Sequence, residues 1–473
     1  ITADDVRREL QERLGEQARV TILGHVQRGG TPSAFDRSMA TMMGYDAASA
    51  LLSARPEDGP QLIGIHRNRV RRTPLMRSVA DNRAIATMLD SGRYDQALAA
   101  RGDSYAELFG LLRALSHPSP DQASKPARIA IMHDGGLAPG MNAAVRAAVR
   151  LGHDRGHVML GVQDGFAGLS SGGVRELSLA DVEGWSGLGG ADLGTRRFDV
   201  ADEHLYAVAR TIEDHRIDAL ILIGGFAGYE KLYRLYRERT RYPALGIPMV
   251  RVPATIDNNV PGSELAIGAD TALNTIVDSI DRIKQSAMAA NRCFVIETMG
   301  RRCGYLTLLA ALSAGAEQAY LPEEGIELDQ LMADIERMRT RFRSDRSLFV
   351  TLRTEGADDR YSTETVSRIF AAEGQGLFDV RSVVLGHVQQ GGNPSPFDRV
   401  LAARLASGAI EAVCRALESG SHEAVMIGLV DGQLRRTPMR QMFDLVDWDA
   451  RRPVDQWWLG LRTVARTLAE PPA

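Results

Sequence analysis

Residues 23–37 read LGHVQRGGTPSAFDR, and residues 385–399 read LGHVQQGGNPSPFDR. Of the 15 paired positions 12 are identical, at an offset of 362 residues. A second match follows in the same order: RRTPL from Arg71 returns as RRTPM from Arg435, at an offset of 364. Two ordered matches at nearly equal offsets are hard to obtain by chance. A period this long means duplicated domains, not a solenoid of short repeats. By the same ruler, residue 1 pairs with about residue 361. The first copy is therefore expected to lack roughly 235 upstream residues, on the assumption that tandem copies share length.

Between the copies lies SHPSPDQASKP, residues 116–126, rich in Pro and Ser and without apolar periodicity. It reads as a linker. Residues 1–115 are then the remainder of a first unit, and residues 127–473 a complete second one. In the second unit RIAIMHD, HVMLGVQD, ALILIGG, PMVRVPAT, RCFVIET and SLFVTLRTE read as buried strands. NAAVRAAVRLGHDRG, DTALNTIVDSIDRIKQSA and YLTLLAALSAGA read as helices. The alternation predicts an α/β fold with mostly parallel sheets covered by helices on both faces, in a two-lobed unit. Ligands in such folds sit at the carboxyl ends of strands.

Composition narrows the function classes. Of 473 residues 44% are hydrophobic, and the net charge of −4 gives no basic surface for nucleic acid or an anionic membrane. No apolar run approaches membrane-spanning length. Cys293, Cys303 and Cys414 have no metal-ligand spacing and form no disulfide framework, which fits a reducing, cytoplasmic setting. The opening ITADDVRREL reads as an amphipathic helix.

The chemistry-bearing motifs follow the strands. DGGLAPGMN (Asp134–Asn142) opens a helix with glycines that let backbone N–H groups approach a phosphate, although a plain strand-to-helix turn reads equally well. Gly224-Gly-Phe-Ala-Gly228 stands where a nucleotide kinase carries an acid for Mg²⁺, and Phe226 cannot coordinate a metal. In PATIDNNVPG (Pro253–Gly262), Thr255, Asp257 and Asn259 alternate and share one face. Asp257 could accept a proton from a hydroxyl; a polar turn is the competing reading. In ETMGRRCG (Glu297–Gly304), Gly300 permits close backbone approach, and Arg301 or Arg302 at a helix start suggests an anion between them. Arg381, His387 and Gln390 recur as Arg19, His25 and Arg28. Such a set suits a phosphate clamp, because Arg presents a planar fork to two oxygens.

MNAAVR, TIDN, ETMGRRCGYL, LGHVQRGG and PFDR together resemble the signature blocks of 6-phosphofructokinase, over nearly the whole chain. DSGRYDQALAARGDSY and QWWLGLR are similar to the ends of the two halves of the duplicated animal and fungal enzymes. The resemblance implies a tandem fusion whose N-terminal half keeps catalysis and whose C-terminal half binds fructose 2,6-bisphosphate as an effector. It implies that Asp257 occupies the general-base position. Thr255, Asn258 and Asn259 would line a sugar-phosphate pocket, Met299, Gly300 and Arg301 wrap the sugar, and Glu355 bonds its hydroxyls. His387, Gln390 and Arg451 would complete the pocket, with Arg197 near the second phosphate. Arg292 and Arg381 would be donated across a subunit interface. Arg19, His25 and Arg28 would belong to the substrate-phosphate site of the first half.

Four departures accompany the resemblance: Phe226 in place of an acid, Asn259 in place of Asp, Gln390 in place of Arg, and Leu137 in place of another acid. They imply no metal and no nucleotide in the second half, with Mg²⁺ and ATP belonging to the missing catalytic lobe. Phe226 is expected on the nucleotide side, apart from the sugar. Asp257 itself departs from the animal regulatory half, which tends to have Ser there. The implied activity is ATP-dependent phosphorylation of fructose 6-phosphate by a homo-oligomer, a tetramer, in the cytoplasm. A pyrophosphate-dependent relative and a non-catalytic sugar-phosphate sensor are the rival readings.

Overall fold

A computed structural model describes residues 1–15, 17–116, 125–344 and 348–469. Most of the expected linker, residues 117–124, lies outside the described residues. Near the N-terminus, helices Ala3–Leu14 and Ala34–Ser53 precede a hairpin of β1 (Gln61–His66) and β2 (Arg69–Pro74). Three further helices, Leu75–Asp90, Tyr94–Ala100 and Asp103–Ser116, follow.

The rest of the chain holds two larger sheets. In chain order the strands are β3 (Arg128–Asp134), β4 (Val158–Val162), β5 (Val174–Glu176), β6 (Ala219–Gly224), β7 (Met249–Pro253) and β8 (Arg292–Thr298). Then come β9 (Gln318–Tyr320), β10 (Leu348–Thr354), β11 (Asp379–Val384), β12 (Ala424–Val430) and β13 (Gln433–Pro438). The larger sheet has the order β13-β12-β7-β6-β3-β4-β5, parallel except at its two edge pairs. The smaller has the order β11-β8-β10-β9, parallel throughout.

The strand sequences explain the layering. Side chains alternate across a sheet. Ile129, Ile131, Ile221 and Ile223 join one core with helices Met141–Asp154 and Pro396–Ser419. Ala130, Met132, Leu220 and Leu222 face the other way, onto helices Asp202–Asp214 and Phe226–Arg237. A strand buried on both faces is apolar at every position, which is why ALILIG reads as a continuous run.

The recurring segments fold alike. Gly24–Arg28 and Gly386–Gln390 are both short 3₁₀ turns, and Ser33 and Ser395 both cap the helix that follows. Equivalent residues also meet each other. The rings of Phe35 and Phe397 lie 5.1 Å apart. The hairpin tips Arg67–Asn68 and Asp431–Gly432 all have positive φ, as a two-residue hairpin turn requires. The two tips touch, and a Cβ on Gly432 would stand 3.2 Å from the Arg67 Cα. This is the pattern of a two-fold interface, in which a patch packs on its own copy. Around it the Ala34 N–H donates to Asn274 Oδ1 at 2.9 Å, Ser38 and Ser313 share a buried hydroxyl contact of 2.7 Å, and Arg404 forks onto Glu107 at 2.7 and 2.8 Å.

Each copy carries the equivalent carboxylate, Asp36 or Asp398, near a helix start. Asp36 accepts from the backbone N–H of its own cap, Ser33, at 3.3 Å. Asp398 reaches helix Ala269–Ala287, accepting from Gly268 N and Thr271 N at 2.8 Å each and from Thr271 Oγ1 at 2.5 Å. It satisfies donors that a helix start leaves free. Burial nevertheless pushes its carboxyl up to about 7.

The Phe35–Phe397 contact should be measurable. A double-mutant cycle of Phe35→Ala and Phe397→Ala, read by urea unfolding, should give a coupling of about 0.5–1.5 kcal/mol, the usual worth of an aromatic pair. Strict additivity would mean the ring contact contributes nothing.

Candidate functional site

The carboxyl ends of five strands converge between the two sheets. Residues 135–137 after β3, 225–227 after β6 and 255–259 after β7 form one wall of a cleft of about 670 Å³. Met299, Arg301 and Arg302 after β8, Glu355 and Gly356 after β10, and His387 and Gln390 form the other, with Ala450 and Arg451 at the rim.

On the first wall Thr255, Ile256, Asp257 and Asn259 line the cleft, the chain turning at 256–257 and not staying extended. Asn258 does not. Its φ of +51° turns it away, its Nδ2 donates to the Glu264 carbonyl at 2.9 Å, and its Oδ1 accepts from Ala266 N at 2.7 Å. It braces the loop. The Asp257 N–H donates to Thr255 Oγ1 at 3.2 Å, and Asn259 Nδ2 donates to the Arg451 carbonyl at 3.3 Å. The Asp257 carboxyl is buried at the cleft floor, with Arg301 Nε 3.9 Å away. Burial pushes it up to about 6, the Arg301 charge opposing and Glu355 adding to the rise.

On the second wall Glu355 accepts from the Arg301 N–H at 2.9 Å. Gly300 has φ +133°, and a Cβ there would stand 2.5 Å from the Cys303 carbonyl, so the turn requires glycine. Met299 N donates to the side chain of Gln389 at 3.1 Å. Gln389 is fully buried and ties the His387 turn to this loop, a role the sequence reading gave to none of its neighbours. Arg302 lines the cleft and donates to the Asp449 carbonyl at 2.7 Å, holding the rim.

Two buried arginines escaped the sequence reading although each interrupts an apolar strand. Arg251 in β7 donates to the carbonyls of Gly224 and Gly225 at 3.2 and 2.7 Å. Arg353 in β10 donates to the carbonyls of Glu355, Asp358 and Tyr361 at 3.1, 2.7 and 3.0 Å, and pairs with Glu297. A cation inside a buried run is the signal that could have found them.

Phe226 lines the same cleft as Thr255 and Glu355, on the loop after β6. The remaining expected residues lie elsewhere. Arg197 is exposed on the loop anchored by Thr195 Oγ1 to the Gly135 carbonyl at 2.7 Å, and does not line the cleft. Arg292 and Arg381 sit on the neighbouring strands β8 and β11, outside the cleft. Arg19, His25 and Arg28 are exposed in the N-terminal part.

The loops after β3 and β6, lining the cleft with Gly135, Gly136, Leu137, Gly225, Phe226 and Ala227, present no carboxylate to a magnesium nucleotide. The carboxylate behind them, Asp134, is buried and bonded to Lys231 Nζ at 2.8 and 3.1 Å. Among the described residues no cluster of three or more His, Cys, Asp or Glu side chains could hold a metal ion.

A sequence model of the family described as Phosphofructokinase matches residues 2–51 and 128–413. The chain belongs to the phosphofructokinase family. It is 40% identical to the platelet-type ATP-dependent 6-phosphofructokinase of Mus musculus, over 99% of this chain and 61% of that protein. Phosphofructokinase from Saccharomyces cerevisiae matches with a TM-score of 0.93 at 36% identity, covering 99% of this chain and 64% of that one. Pichia pastoris phosphofructokinase in the T-state matches with a TM-score of 0.91 at 37% identity, covering all of this chain and 56% of that one. The chain thus spans about three fifths of the length of the curated relatives it matches. Among the described residues no helix is long and apolar enough to cross a membrane.

The raised Asp257 carboxyl has a stability consequence with a definite sign. The folded state favours its neutral form, so that contribution is present at low pH and is lost as pH rises through about 6. Asp257→Asn, which cannot ionise, should therefore gain stability relative to the parent between pH 4.5 and 8, by at most about 3 kcal/mol. Urea unfolding at the two pH values is the measurement.

Proposed function

We propose that the cleft of residues 127–473 is a receptor for a sugar bisphosphate, fructose 2,6-bisphosphate being the candidate, and that it regulates rather than catalyses. The asymmetry of the cleft carries this reading. The loops after β7, β8, β10 and β11, with the rim, offer hydroxyl, carboxylate, imidazole and guanidinium groups at Thr255, Asp257, Glu355, His387, Arg301 and Arg451, while the loops after β3 and β6 offer Leu137 and Phe226. Thr255, Glu355 and His387 would bond sugar hydroxyls, with Met299 and Gly300 against the ring and Gln390 closing the pocket. Arg301 and Arg451 would take phosphate, with Arg197 near the second one. Arg292 and Arg381, exposed or half-exposed on adjacent strands, would serve the cleft of a neighbouring copy. Among the described residues Arg301 and Arg451 each have a single carboxylate partner, Asp257 and Glu230, and a phosphate offers a guanidinium a stronger, bidentate one.

The larger protein would transfer the γ-phosphoryl of ATP, as its Mg²⁺ complex, to the 1-hydroxyl of fructose 6-phosphate, the activity that the names of the mouse and Dictyostelium discoideum relatives state for those proteins. Residues 1–115, with Arg19, His25 and Arg28, would belong to the catalytic half. Catalysis in such transfers is mainly positioning and charge neutralisation. A homotetramer in the cytoplasm suits this role.

Calorimetric titration tests the reading. The purified protein should bind fructose 2,6-bisphosphate in this cleft, and Mg-ATP should give no heat from it. Arg381→Ala should weaken bisphosphate binding at least tenfold, since a charge-assisted bond is worth about 1.5–3 kcal/mol, and should abolish ligand-induced association. Unchanged affinity in Arg381→Ala would sink the shared-site arrangement. The chain alone should form no fructose 1,6-bisphosphate from fructose 6-phosphate and ATP above the buffer rate.

A further inference from the structure

Helix Phe226–Arg237 begins at the loop after β6, and its first residue does more than block a metal position. The buried ring of Phe226 has the Arg451 guanidinium carbon 5.1 Å from its centroid. Trp448 packs edge-on at 5.9 Å and Tyr229 at 6.3 Å, so the ring cannot swing away. Arg451 itself is held from behind: its φ is +54°, and its carbonyl accepts from Asn259 Nδ2 at 3.3 Å. Its guanidinium also pairs with Glu230, one turn along the helix from Phe226. That pair is half exposed, at 51% and 43% of the two side chains, and exposed ion pairs are worth about 0–1 kcal/mol. A phosphate offers the guanidinium a stronger, bidentate partner.

We propose that Phe226 is the positioning residue for Arg451, holding its guanidinium at the cleft rim for a ligand phosphate, and that Glu230 is the resident partner which the phosphate displaces. The inference rests on the reading of the cleft as a sugar-bisphosphate site. It assigns one residue two effects on specificity. The ring removes the metal side of a nucleotide pocket, and the same ring supplies a platform for a phosphate-binding arm. Glu230 then sets the affinity by competition. Released from Arg451, it returns to water at small cost, because it is already half exposed.

The two roles predict opposite changes, which loss of fold would not produce. Titrating the purified protein with fructose 2,6-bisphosphate, Phe226→Leu should weaken binding about fivefold, the range of a partly desolvated cation–π contact. Phe226→Tyr, which keeps a π face, should restore it. Glu230→Gln should tighten binding about twofold to fivefold. In an Arg451→Ala background neither Phe226→Leu nor Glu230→Gln should change the affinity further. Same-direction effects of the two single variants, or effects that persist without Arg451, would overturn the assignment while leaving the bisphosphate site standing. Failure of the unaltered protein to bind the bisphosphate at all would overturn both.

Discussion

Two guanidinium groups buried inside the sheets hold the cleft in shape. Arg251 lies in the larger sheet and Arg353 in the smaller, and each donates to carbonyls at the strand ends or in the loops that follow them. Loop carbonyls turned inward have no water to bond, and a buried polar group left unpaired costs about 1–3 kcal/mol. A fork of five N–H groups answers several of them at once. Burial opposes the arrangement, pushing the Arg251 guanidinium down to about 10, but the group stays charged at neutral pH. With the loops fixed in this way, Thr255, Asp257 and Glu355 meet across the cleft without depending on ligand to order them.

Much of the fold was legible because the strands of this unit are buried on both faces. RIAIMHD, ALILIGG and RCFVIET carry continuous apolar runs ending in turn residues, and they became β3, β6 and β8. The elements that escaped notice have weaker patterns for physical reasons. β11 is an edge strand with mostly exposed residues, so DVRSVV has no apolar continuity. The hairpins β1–β2 and β12–β13 share an RRTP strand whose charges hide it; the turn Arg67–Asn68 carries no hairpin signature, whereas Asp431-Gly432 is one that the reading passed over. Helix Phe226–Arg237 has no counterpart in the sequence reading, although its tyrosines and leucines recur at helical spacing.

The candidate site divided in the same way. Alternation in PATIDNN assumed an extended chain, whereas the segment turns at 256–257 and Ile256 lines the cleft together with Thr255, Asp257 and Asn259. It could not show what Phe226 touches, since Arg451 arrives from a segment more than 200 residues away in sequence. Nor could it show that Gln389 rather than Gln390 is the buried member of its pair. Those are properties of packing between distant loops.

The seam between the copies gives the duplication a freedom that two separate subunits lack. In a symmetric pair of identical chains, a residue on the axis faces itself, and every mutation there strikes both sides together. Once the copies share one polypeptide, each side can drift by itself while the other keeps its shape. Phe35 still meets Phe397, so that contact records the symmetric arrangement. The hairpin tips Arg67–Asn68 and Asp431–Gly432 still meet as well. A seam whose equivalent residues pack on each other lets one half specialise elsewhere without losing its grip on the other.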